Sequence, residues 1–228
     1  MTGRDELEII ALSLKVAWWG GAWSLPLAVA TALALARGRF FGKTLFDAAV
    51  HLPLVLPPVV VGFALLALFG RRGPIGSLLE PLGIVFAFRW TGAALAAAIM
   101  GFPLMVRAIR LAIDAVDRRL EVAARTLGAG RARVFFTVTL PLAWPGVVTG
   151  ALLAFARALG EFGATITFVS NIPGETQTLP LAIYTFTQTP GQDGEAVHLS
   201  ILSVLLSLGA LALSEWLVRR RLPRPAHA

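Results

Sequence analysis

Arg157 and Glu161 are the side chains of greatest chemical consequence in this sequence, because they stand four residues apart inside a long apolar run. A lone charge at mid-membrane costs at least about 2.5–3.5 kcal/mol on insertion scales. The i,i+4 spacing lets the two neutralise each other along one helix face. Two readings of the pair stand side by side. In one it is a structural ion pair turned into a helix bundle. In the other Arg157 offers positive charge to a passing anion while Glu161 holds it in place, with Gly163 and Thr165 of the following FGATITF segment beside them. A second unusual spot is HLPLVLPP at 51–58, where Pro53, Pro57 and Pro58 interrupt an apolar run. Proline removes a helical hydrogen bond and clashes with the preceding turn. Broken backbone at membrane depth survives only inside a bundle or beside a watery cavity. The prolines therefore mark either a kinked packing helix or a helix lining a pathway.

Other chemistries are poorly supported. There are no cysteines, and His51, His198 and His227 lie far apart without metal-ligand spacing. No carboxylate pair or Ser/His/Asp set appears in any loop. The segment Gly38-Arg39-Phe40-Phe41-Gly42-Lys43-Thr44 has three residues between its glycines, whereas a phosphate loop needs four. It reads as a basic turn. The chain is expected to be non-catalytic and to bind no cofactor of its own.

The elements that hold these residues follow from composition. Of 228 residues, 57% are apolar and 14% charged, against about 45–50% and about 25% in soluble domains. Mean hydropathy is +0.76. These values exclude a soluble globular domain, a disordered chain and a nucleic-acid module; no nucleic-acid partner is expected. The net charge of +7 serves as a topology signal instead. The fold class is an all-α integral membrane protein with about five transmembrane helices, at roughly 20 apolar residues per crossing. The spans are read at about 16–36, 48–69, 90–106, 142–169 and 199–218, within a membrane domain covering 9–218. Residues 1–8 form an outer N-terminal segment, too acidic to begin a cleaved signal peptide, and 219–228 a basic tail. Fourteen basic residues flank one side of these spans, from Arg37, Arg39 and Lys43 to Arg219–Arg221 and Arg224. Four flank the other: Arg4, Arg71, Arg72 and Arg89. That bias puts the N-terminus outside and the C-terminus in the cytoplasm.

Two further patterns concern packing. In the fourth span Gly146, Gly150, Ala154 and Ala158 recur every four residues, a small-residue ridge that lets another helix approach closely. The partner helix could come from this chain or from a second copy. The cytoplasmic loop 114–141 is too long for a plain connection. Asp117 is an N-cap candidate, residues 118–127 favour a helix, and Gly128 suits the left-handed stop. Leu120, Ala123, Ala124 and Leu127 share one face of that helix. A helix of about ten residues is marginal alone, so it needs a docking surface.

On these residues the chain resembles the binding-protein-dependent ABC import permeases of type I. Their signature loop reads Glu-Ala-Ala, three residues, Gly, nine residues, Ile, one residue, Leu-Pro. Here Ala123-Ala124 precede Gly128 by three residues, and nine more lead to Val138, Thr139 and Leu140-Pro141. Val138 replaces the isoleucine. Val122 stands directly before the alanines, and Glu121 lies one place earlier. The stretches at 51–62, 70–76, 102–110, 124–141 and 155–180 are similar to the molybdate branch. GEFGA at 160–164 is shared with other oxyanion permeases, and FVSNIPGETQTLP at 168–180 is more particular to molybdate.

The resemblance implies an ATP-driven importer in the bacterial cytoplasmic (inner) membrane, with this chain as its permease subunit in contact with membrane lipid. Its partners would be a second copy of itself, an ABC ATPase subunit gripping the loop of Glu121, Ala123, Ala124, Gly128, Val138, Leu140 and Pro141, and an extracytoplasmic oxyanion-binding protein. ATP and Mg would sit on the ATPase. The cargo would be molybdate, and tungstate as an ion of similar size and charge. Rivals are a sulfate/thiosulfate or tungstate permease and, from another class, a stand-alone secondary transporter or channel. The outer segment 170–198 holds Glu175, Asp193 and Glu195 but no lysine or arginine. It either docks the binding protein or is a solvated loop with a hydrophobic piece at 179–186.

Overall fold

The computed structural model describes residues 3–221, so the expected basic tail lies outside the described residues beyond Arg221, as do the side chains of 219–221. Every regular element described is helical. The long helices are α1 (Gly3–Arg37), α5 (Trp90–Ala115), α8 (Leu140–Leu159) and α11 (Asp193–Arg221). Between them lie α2 (Lys43–Val55), α3 (Pro58–Phe69), the short α4 (Gly76–Leu79), α6 (Arg118–Thr126), α7 (Arg131–Val134), α9 (Gly163–Val169) and α10 (Leu179–Thr187). A π-helical turn, Phe135–Thr139, joins α7 to α8 in one continuous rod. Among the described residues four helices are long and apolar enough to cross a membrane, and the bent pair α2–α3 makes up to five.

Helix α5 is the axis of the bundle and packs along both α1 and α8. Its buried face starts with small residues, Gly92, Ala93, Ala94, Ala96, Ala97 and Gly101. Lipid chains are as apolar as leucine, so these contacts are held by close van der Waals packing between helix backbones. The ridge on α8 meets this face within the same chain. Ala154 lies against Gly101, where an added Cβ would stand 3.1 Å from the alanine Cβ. A Cβ on Gly146 would collide with Ala112, and one on Gly150 would come within 3.0 Å of the Met105 carbonyl oxygen. The core divides into two layers. One joins the starts of α1 and α5 to α3, α9 and the end of α8. The other joins the ends of α1 and α5 to the first half of α8. A lateral cluster of Ile9, Leu179, Ala182 and Leu199 ties α10 and α11 to α1.

The structure moves several expected boundaries. The first span and the segment before it are one helix from Gly3 on. The third span continues past 106 to Ala115, and the fifth begins at Asp193. The second span is broken at Leu56-Pro57, with α2 and α3 at 111°. Leu56 precedes a proline and is extended, with φ −70° and ψ 142°. Pro58 then opens α3, where the missing N–H is no loss. Pro53 sits inside α2 without ending it. The fourth span is corrected most. It begins at Arg131, stops at Leu159 and does not run through to 169. The Glu161 carboxylate takes the Ala164 amide, and α9 starts afresh. Residues 179–186 are helical, with Leu179, Leu181 and Ala182 buried.

Candidate functional site

The first assembly lies at the bundle end that carries α6. Asp117 accepts a hydrogen bond from the Arg119 amide at 2.9 Å and so caps α6. Gly128 follows with φ +88°, a left-handed conformation that a Cβ disfavours by roughly 1–2 kcal/mol. The outward side of α6 is apolar and uncovered. Leu120, Val122, Ala123 and Leu127 are exposed, Leu127 at 89%, and Ala124 is half-buried. Val138 and Leu140 are half-buried at the base of α8, and Pro141 is exposed in its first turn.

Glu121 turns the other way. Its side chain is 9% exposed and its Oε1 lies 3.2 Å from Arg37 Nε. The same oxygen accepts the Thr139 hydroxyl at 2.8 Å. Arg37 also donates to the carbonyl oxygens of Ile113, at 2.8 Å, and Val116, at 3.1 Å. One guanidinium therefore closes the C-terminus of α5 and holds α6 against α1. Loss of one partner from so buried a pair costs about 3–5 kcal/mol. In the sequence Arg37 reads as one of the basic residues flanking the first span. Its pairing spans 84 positions and has no local signal.

The second assembly is at the opposite end of the bundle. Arg157 Nη2 stands 2.6 Å from Glu161 Oε2. That oxygen has no aligned hydrogen-bond donor, so the contact is an ion pair off the N–H direction. Glu161 Oε1 accepts the Ala164 amide at 2.9 Å. The side chains are unequally covered, at 28% exposure for Arg157 and 1% for Glu161. Both broken spans meet here. A Cβ on Gly163 would stand 2.8 Å from the Pro58 Cβ, and one on Gly62 would stand 2.8 Å from the Ala164 Cα. The starts of α3 and α9 are thus in backbone-to-backbone contact. Pro57 is exposed at the corner, whereas Thr165 is 2% exposed and faces protein. The structure brings Pro58, Gly163 and Glu161 together and turns Thr165 inward. Among the described residues no group of three or more His, Cys, Asp or Glu side chains could hold a metal ion.

The chain thus combines a bent span beside a second broken helix with a capped surface helix on the connection between two long rods. Residues 24–223 match the family described as binding-protein-dependent transport system inner membrane component, and the chain belongs to that family. It is 60% identical over 215 residues to the molybdenum transport system permease protein ModB of Escherichia coli (strain K12), which covers 94% of each chain. The protein of that name from Haemophilus influenzae is 56% identical over 216 residues, again 94% of each. A probable sulfate transport system permease protein of Chlorokybus atmophyticus is 41% identical over 156 residues, 68% of this chain and 54% of that one. Among solved structures, a bacterial alginate ABC transporter aligns with a TM-score of 0.74 at 16% identity, over 94% of this chain and 78% of that one. The MetNI methionine ABC transporter aligns at 0.73 and 16% identity, over 98% and 100%. At such identities the structural likeness speaks for the fold.

Proposed function

We propose that this chain is the membrane subunit of an ATP-driven molybdate importer, working as a homodimer with two separate ATPase subunits. The observation that carries the reading is the 60% identity to a molybdenum permease across 94% of both chains. The sulfate relative is less similar and is covered over only about half its length, so molybdate is favoured over sulfate. Tungstate passes as well, being a tetrahedral oxyanion of similar size and charge. The excess of basic residues at the α6 end supports a cytoplasmic α6 and an outer N-terminus.

In this reading the exposed apolar side of α6, with Leu120, Ala123, Ala124 and Leu127, sits in the ATPase. ATP and Mg bind there and not on this chain. Closure of the ATPase pair pushes α6, and the bundle alternates between two states whose balance the nucleotide shifts. An extracytoplasmic binding protein delivers the anion, since 170–198 contains no lysine or arginine to capture it. Arg157, partly exposed beside the two breaks, meets the anion in transit. A stand-alone channel or secondary transporter would have no use for an uncovered apolar helix on a connecting loop.

The test is co-purification with the ATPase, reconstitution into vesicles, and uptake of molybdate against competing tungstate and sulfate. Uptake that needs ATP, falls with excess tungstate and tolerates excess sulfate is expected. Uptake without any ATPase would end the proposal.

A further inference from the structure

We propose that a chain of alternating charges running from α6 to α2 transmits the motion of α6 to the broken span, with Asp114 as its central positioning residue. This rests on the reading of α6 as the ATPase dock. The contacts run in one unbroken sequence. Glu121 on α6 lies 3.2 Å from Arg37 on α1. Arg37 Nη1 lies 3.7 Å from Asp114 Oδ1 on α5. Asp114 Oδ2 lies 3.8 Å from Arg110 Nε. Arg110 Nη1 lies 2.8 Å from Asp47 Oδ2 on α2. The sequence ends there: His51 Nδ1, 3.1 Å from Asp47 Oδ1, has its hydrogen bond with the Asp47 carbonyl oxygen at 2.9 Å.

Two features make this a mechanical link and not incidental surface pairing. First, α2 has no buried residue and leans mainly on α5. Within the chain little apolar packing fixes it, and the Arg110–Asp47 contact ties it to α5. Second, α2 leads directly into Leu56-Pro57, and α3 beyond that corner touches Gly163. A shift of α2 therefore swings the corner beside Arg157 and Glu161. The link is tight at its two ends and loose at its middle. Asp114 is half-exposed and makes the two longest contacts, and exposed pairs of that kind open and close readily.

A cavity of about 590 Å³ beside this chain is lined by Thr44, Asp47, His51, Arg107, Arg110 and Asp114. Two arginines face two aspartates there, so the cavity carries little net positive charge. It is poorly made for holding an oxyanion, and transmission is the better use of its charges.

The experiment uses the complete transporter with its ATPase in vesicles, and reads molybdate moved per ATP hydrolysed. The unmodified complex is measured first; if its uptake needs no ATP, the docking reading fails and this proposal with it. In Asp114→Asn and in Asp47→Asn the ATPase is expected to stay bound and keep hydrolysing. Molybdate moved per ATP is expected to fall by about tenfold, within the span of coupling energies measured in other proteins. Asp114→Glu, which keeps the charge between Arg37 and Arg110, is expected to recover most of the transport per ATP that Asp114→Asn loses, which a role in α5 packing alone would not produce. Normal transport per ATP in both asparagine variants overturns the proposal. So does dissociation of the ATPase, or a fall in membrane abundance that matches the loss of uptake. A change confined to the molybdate KM overturns it in favour of an anion site in the cavity.

Discussion

Arg157 and Glu161 are paired but not equivalent. Glu161 has two attachments, the guanidinium and the Ala164 amide, and almost no exposure. Arg157 is paired with Glu161 and keeps an accessible flank. Either removal leaves the other charge without its ion partner, but removing the arginine keeps the Glu161 bond to the Ala164 amide in place, whereas removing the glutamate also uncaps α9. Arg157→Ala is therefore expected to lower molybdate uptake by about tenfold or more, equal to about 1.4 kcal/mol, with smaller loss of protein from the membrane. Immunoblots of membranes alongside uptake check this, and equal losses would mark the pair as structural. Glu161→Ala is expected to reduce membrane abundance further, since it breaks the same pair and also loses the bond to the Ala164 amide, a cap of about 0.5–2 kcal/mol. The same measurements decide it. At Gly128 a bulky side chain meets a positive φ. Gly128→Leu is expected to weaken retention of the ATPase during purification while the permease still inserts. Normal ATP-dependent uptake in that variant would count against the docking role of α6.

At the scale of elements, breaks matter as much as helices. Proline at 57 and 58 and the carboxylate at 161 each end a hydrogen-bond ladder, by opposite means. Proline withholds a donor, while Glu161 captures one. The two short helices that follow, α3 and α9, then pack without side chains between them, because Gly62 and Gly163 leave room for backbone. Gly62→Val would press on the Ala164 backbone. It is expected to separate the pair, costing about 1–3 kcal/mol by overpacking. Its thermal unfolding in detergent should shift downward, and uptake should fall even where the protein remains in the membrane. An unchanged melting temperature would show that α3 is free to move aside.

For the whole molecule, local rules read from the residues went far. Apolar runs of sufficient length defined an all-helical membrane protein. The cap at Asp117 and the stop at Gly128 could be read because capping is decided within a turn. The small-residue ridge was legible as an interface, but its partner was not, since spacing on one helix says nothing of which helix fills it. Tertiary structure chose α5. It also ended the fourth span at Leu159, where hydropathy runs on unbroken, because a carboxylate bond to one amide is invisible to composition. Glu121 shows the same limit. Its place in the loop was clear, but its inward turn toward Arg37 and Thr139 depends on residues 84 and 18 positions away. Sequence alone determined what lies within a helical turn or depends on total apolar length. Only the packed chain decided which distant charges meet, because burial and partner are properties of the assembled helices and not of any one of them.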